Sequence, residues 1–157
     1  MTPIPSDRLI IGIGNAFRSD DGVGIWIVRR LRGQLSSGVA VVEASGEGAA
    51  LLETWKGFAS VILVDAVSSG AAPGTIHRLD AATEPLRAQF FRCSSHAFGV
   101  GEAVEMARAL DRLPPRLIVY GIEGANFAAG AQISPAVAEA AAEVAERLLA
   151  EILARGF

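Results

Sequence analysis

Short, nearly continuous apolar runs alternate along this chain with segments in which apolar residues recur at helical spacing. Residues 9–14, 39–42, 60–65 and 116–120 are runs typical of buried parallel strands. The run at 60–65 is apolar on both faces, so we predict that it lies at the centre of a covered sheet. Its last residue, however, is a carboxylate, Asp65.

The segments between the predicted strands have the pattern of amphipathic helices. The first is expected to begin at Ser19, whose hydroxyl would cap it, and residues 48–55 and about 102–113 predict two more. The last helix has Ser134 as its expected cap and Pro135 at its first position.

Residues 75–79 alternate between apolar and polar side chains, which predicts a half-exposed edge strand. The alternation of strands and helices predicts an α/β fold, a three-layer α/β/α sandwich around a mostly parallel twisted sheet of about five strands. We expect a single domain over residues 1–157. In such folds, ligands bind at the carboxyl ends of the strands.

Charge and composition narrow the classes of function. The formal net charge of the 157 residues is only −3, so a nucleic-acid partner is not expected. No apolar run approaches the roughly 20 residues of a membrane-spanning helix, and the N-terminus lacks the pattern of a signal peptide. The single Cys93 cannot form an internal disulfide. A cytoplasmic protein without membrane insertion is therefore expected.

Acidic residues lie where two predicted strands end. Asp20 and Asp21 follow the first strand, where they could simply be favourable charges at a helix start. Asp65 must be hydrogen-bonded, paired or bound to a cation to offset its desolvation, unless it only caps a following turn. Glu123 follows the strand at 116–120 and could border the same cleft, but it is interpreted instead as an exposed loop acid.

The two histidines of the chain allow several interpretations. His77 lies in the predicted edge strand and is interpreted as structural. His96 could also be structural, or it could act with Cys93 as a thiol nucleophile and its base, or as half of a zinc site. The chain has no second cysteine to complete a structural zinc site of that kind.

The turn Gly12-Ile13-Gly14 is compatible with a Rossmann-like nucleotide-binding module. The third glycine of that motif would fall at Phe17, however, and the chain has no Gly-Lys-Ser/Thr phosphate loop. The simpler interpretation is that these glycines allow the first strand to turn tightly into the first helix.

From Leu9 to the last helix, the sequence resembles the nickel-iron hydrogenase maturation endopeptidases. An apolar strand that ends in Asp65-Ala66 and a loop histidine, His96, are similar to two motifs of that family. The most specific motif is a strand followed by G-x-G-N, a short loop, an acid pair and two small positions. It is matched here by Gly12, Gly14, Asn15, Asp20, Asp21, Gly22 and Gly24.

The resemblance implies that Asp21, Asp65 and His96 are both the metal ligands and the catalytic residues. Asp20, beside Asp21, could assist them. The resemblance also implies that nickel carried by the large-subunit precursor of a nickel-iron hydrogenase is recognised before a C-terminal extension is cleaved. A non-catalytic nickel-handling or precursor-docking protein would use the same three residues for binding alone. The chain departs from the family pattern at residues 43–47 and at Gly124, which concerns the choice of partner and removes no ligand.

Overall fold

The computed structural model describes residues 7–35, 38–86 and 98–154. Its strands are β1 (Arg8–Ile13), β2 (Val39–Ala44), β3 (Ser60–Val67), β4 (Ile76–Asp80) and β5 (Arg116–Glu123). Its α-helices are α1 (Val23–Leu31), α2 (Gly48–Trp55), α3 (Val100–Ala109) and α4 (Pro135–Leu153). A 3-10 turn, Ser19–Gly22, leads into α1.

The five strands form one sheet in the order β2-β1-β3-β5-β4. The pairs β1–β2, β1–β3 and β3–β5 are parallel, whereas β4 is antiparallel to β5 at the edge of the sheet. β3 is central, and every residue after Ser60 in it is buried. The prediction of a mostly parallel sheet with a central 60–65 strand and an edge strand near 75–79 is confirmed.

Alternate side chains of the central strands enter two separate cores, because successive residues of a strand point to opposite faces. Ile62 and Val64 of β3 pack with α1 and α4. Val61 and Leu63 pack with α2 and α3 on the other face. Helices therefore cover both faces of the sheet, and the predicted three-layer sandwich is confirmed.

The predicted cap at Ser19 is wrong, and the one at Ser134 is correct in position but not in its side-chain hydrogen bond. Ser19 lies within the 3-10 turn, and its hydroxyl donates to the carbonyl oxygen of Ala128 at 2.8 Å. Ser134 does occupy the N-cap position of α4, but its hydroxyl donates to Asp20 at 2.8 Å instead of capping the helix. Both hydroxyls thus join the segment before α1 to the segment before α4.

Candidate functional site

Two glycines allow close approaches around the loop after β1, one at each end of the segment that carries Asp21. A Cβ on Gly24 would lie 2.3 Å from the carbonyl oxygen of Val64 and 2.6 Å from that of Ile13. A Cβ on Gly14, which has a φ of +140°, would lie 1.9 Å from the carbonyl oxygen of Asp21. A side chain on Gly24 would push α1 away from the strand ends, and one on Gly14 would push Asp21 away from the start of the loop, so both glycines help to set the position of Asp21.

Asp21 is held near the surface of this loop and is only 8% exposed. Its Oδ2 accepts a hydrogen bond from the backbone N–H of Asn15 at 3.0 Å. The Nη1 of Arg18 lies 3.9 Å from the same oxygen. Residues at the start and middle of the loop 14–21 therefore contact the carboxylate of Asp21 at its end, and these contacts fix the direction of the Asp21 side chain.

Asp65 is a carboxylate inside the central strand, 6% exposed, and its Oδ1 accepts from the backbone N–H of Ala66 at 2.8 Å. Burial raises the pKa of Asp65 well above its ordinary value, and the negative charge of Asp21 raises it further. The hydrogen bond from Ala66 offsets this only in part. The fold has thus brought two of the three predicted ligands close enough to repel each other.

The third predicted ligand, His96, lies outside the described residues, as does Cys93. Within the described part of the chain, no three His, Cys, Asp or Glu side chains form a group that could hold a metal ion. Two residues after His96, the carbonyl oxygen of Phe98 accepts from the backbone N–H of Gly48 at 2.8 Å. Because α2 begins at Gly48, just beyond the carboxyl end of β2, Phe98 lies at the predicted ligand-binding edge of the sheet.

Asp20 has a role that the sequence did not predict. It is fully buried, and its carboxylate accepts from the backbone N–H groups of Ala125, Asn126 and Ser134 at 2.8, 2.9 and 2.7 Å. Burial alone would raise the pKa of Asp20, but the hydrogen bonds from these three residues outweigh burial and lower the pKa. Asp20 is therefore an anionic clasp between the Asp21 loop and the start of α4.

Glu123 is not the exposed loop acid that the sequence suggested. β5 extends through Glu123, which is 1% exposed, and the Nε2 of His77 lies 3.0 Å from its Oε1. The backbone N–H of Ser69 donates to both carboxylate oxygens at 3.1 Å, and the Ser69 hydroxyl also hydrogen-bonds to Oε1. The interpretation of His77 as structural agrees with these contacts, which tie β4 and the end of β3 to β5.

Comparisons with known proteins support the resemblance. Residues 25–151 match the family HycI, hydrogenase maturation protease. The chain is 30% identical over 158 residues to the hydrogenase expression/formation protein HupM of Azotobacter chroococcum mcd 1, across 94% of this chain and 76% of that protein. The family match includes Asp65 and His96 and begins after Asp21.

Two solved structures share the fold. An endopeptidase from Escherichia coli superposes with a TM-score of 0.80 at 26% identity, covering 95% of this chain and 94% of that one. The [NiFe] hydrogenase maturation protease HybD from Thermococcus kodakarensis superposes with a TM-score of 0.70 at 26% identity, covering 92% and 97%. Among the described helices, none is long and apolar enough to cross a membrane.

Proposed function

This chain belongs to the hydrogenase maturation protease family and is an endopeptidase, and we propose that it removes the C-terminal extension from the large-subunit precursor of a nickel-iron hydrogenase in the cytoplasm. We further propose that cleavage depends on nickel already inserted into that precursor. The side chains of Asp21, Asp65 and His96 would bind this nickel and form the catalytic site.

The observation that carries this proposal is the pair of carboxylates, Asp21 and Asp65. They come from two separate segments, are both largely buried, and repel each other at the carboxyl edge of the sheet. A divalent cation between them would offset both the repulsion and the desolvation of Asp65. Two carboxylates also leave coordination positions for ligands that the precursor supplies.

The chain's own residues would position the precursor. Asp21 accepts from the N–H of Asn15 and Asp65 from the N–H of Ala66, so backbone groups orient the two carboxylates that would hold the ion. An imidazole from His96 would complete a set of hard and borderline ligands that suits a first-row divalent metal. When bound, the ion would polarise the scissile carbonyl group or a water molecule.

Incubation with nickel-loaded and nickel-free large-subunit precursor tests the function directly. Mass spectrometry of the precursor should show a C-terminal mass loss with the nickel-loaded form alone. Asp21→Asn, Asp65→Asn and His96→Ala should each remove this cleavage while the proteins remain folded. Asp111→Asn, at an exposed turn position just after α3, is the matched control and should cleave normally.

Two results would refute separate parts of the proposal. Equal cleavage of the two precursor forms would exclude nickel dependence. Full cleavage by a folded Asp21→Asn or Asp65→Asn variant would exclude the assigned site. Binding of precursor without any cleavage would instead favour a non-catalytic docking protein.

A further inference from the structure

A groove of 560 Å³ opens beside the loop that carries Asp21. It is lined by residues of that segment between Ala16 and Gly22, by residues of α1, and by residues 131 and 133. Its volume lies within the usual range of binding pockets, roughly 300 to 1,000 Å³. The side chains used in the argument below are Phe17, Trp26, Arg29 and Arg30. We call this feature the α1 groove.

Phe17 lines the α1 groove and is 77% exposed, although it is a large aromatic residue. Its backbone is fixed, because its N–H donates to Asn15 Oδ1 at 2.9 Å and its carbonyl oxygen accepts from Gly130 N–H at 2.9 Å. An aromatic side chain presented on a fixed backbone loses little conformational entropy when a partner covers it. Such residues are typical anchors of protein interfaces.

The side of the groove formed by α1 is basic. The guanidinium of Arg30 stacks over the ring of Trp26 at 5.3 Å, and no acidic side chain among the described residues forms an ion pair with it. Arg29 and Arg32 share a single carboxylate, Glu43, at 2.9 and 2.7 Å. Of the two arginines that line the groove, Arg29 is therefore paired with an acid, and Arg30 supplies the positive charge that a partner would meet.

We propose that the α1 groove docks an acidic, apolar-rich segment of the precursor polypeptide, at a place separate from the scissile bond. The apolar side chain would enter between Phe17 and Trp26, and the acid would face Arg30. Ser19 and Gly22, which line the groove, flank Asp21 in the sequence, so a polypeptide seated in the groove would contact the segment that carries one residue of the proposed site. The identity of this partner rests on the proposed function; the chemistry of the groove does not.

Affinity for the nickel-loaded precursor, measured by interferometry alongside steady-state cleavage, tests this docking. Phe17→Ser and Arg30→Glu should each weaken precursor binding about tenfold, with the kinetic loss falling on KM more than on kcat. Arg30→Glu should also flatten the dependence of the association rate on salt, because it removes an attractive charge. Both residues are exposed, so neither change is expected to prevent folding.

Matched controls lie away from the groove. Leu153→Ser removes an exposed apolar side chain of α4, and Lys56→Glu reverses an exposed charge at the end of α2. Both should bind the precursor as the wild type does. Affinity losses in the controls equal to those in the groove variants would overturn the proposal.

The outcomes also separate this docking from the proposed activity. Normal cleavage by wild type with unchanged affinity in Phe17→Ser and Arg30→Glu overturns the groove and leaves the function intact. Weaker binding by these variants, in a protein that cleaves nothing, supports the groove and refutes the activity. Failure of the wild type to bind the precursor overturns the docking. Analytical ultracentrifugation provides a second test: if the wild type self-associates and the variants do not, the groove binds a second copy of this chain, and the proposal is also overturned.

Discussion

Asp65→Asn removes a charge from the central strand while keeping the size of the side chain. The amide oxygen can still accept from the N–H of Ala66, which lies 2.8 Å from Oδ1 in the wild type. Burial and the charge of Asp21 raise the pKa of Asp65 in the folded protein, and neither acts in the unfolded chain. The folded protein therefore binds this proton more tightly than the unfolded chain does. Its stability must fall as pH rises from the unfolded pKa towards the folded one.

The change in the free energy of unfolding that Asp65 can cause per pH unit has an upper limit. One group that is protonated in the folded state and ionised in the unfolded state changes the free energy of unfolding by about 1.4 kcal/mol per pH unit. Between pH 5 and pH 7, the wild type should therefore lose up to about 3 kcal/mol relative to Asp65→Asn. The cost of burying the new amide group does not depend on pH in this window, so it shifts the two stability curves by a constant.

Urea unfolding of the metal-free protein at pH 5, 6 and 7 measures this difference. The stability gap between Asp65→Asn and wild type should move in favour of the variant as pH rises, and Asp21→Asn should reduce the slope because it removes the neighbouring charge. The gap for the exposed control Asp111→Asn should stay constant. Parallel curves for Asp65→Asn and wild type would refute the conclusion that Asp65 is a destabilised carboxylate.

Three further substitutions test other parts of the site. Gly14→Ala places a Cβ 1.9 Å from the carbonyl oxygen of Asp21, so we expect a loss of about 2 kcal/mol or more in urea unfolding and no precursor cleavage. Asp20→Asn replaces one accepting oxygen with an NH2 group that would face backbone N–H donors. The free energy of unfolding should therefore fall by about 2 to 4 kcal/mol. Because the pKa of Asp20 is lowered by folding, this advantage of the wild type should be present above the unfolded pKa near 4 and lost as pH falls further. His77→Ala removes the imidazole 3.0 Å from the buried Glu123 and should cost about 1 to 3 kcal/mol, while the folded fraction retains cleavage.

Controls sharpen these three tests. Gly57 also has a positive φ, +86°, but no atom lies within 4 Å of its added Cβ, so Gly57→Ala shares the backbone strain without the collision. Equal losses in Gly14→Ala and Gly57→Ala would contradict the close-approach argument. An Asp20→Asn variant as stable as wild type would show that the clasp to α4 contributes little. Complete loss of cleavage in folded His77→Ala would assign His77 a role in the reaction.

The fold could be predicted because its causes are local in the sequence. Residues 61–64 are apolar and alternate between the two cores, and only a central parallel strand buries both faces. Residues 75–79 alternate, as an edge strand requires, and β4 lies at the edge. The family resemblance likewise predicted that the segments of Asp21 and Asp65 would approach each other, as they do, whereas His96 lies outside the described residues.

The roles of individual acids depended on contacts that no local pattern contains. Asp20 and Asp21 are adjacent and chemically identical, yet the partners of Asp20 lie 105 to 114 residues away, whereas Asp21 accepts from Asn15 within its own loop. Glu123 was expected in an exposed loop, but β5 continues through it and His77, 46 residues away, packs against it. Strand length at such ends is set by pairing with neighbours and not by propensity alone.

The sequence by itself therefore determined the layers, the central and edge strands, and the two acidic segments at the carboxyl edge of the sheet. Only the tertiary structure decided which acid became a structural clasp and which two became a repelling pair. The physical reason is that burial and hydrogen bonding set the cost of a carboxylate, and both depend on residues that are close in space and distant along the chain.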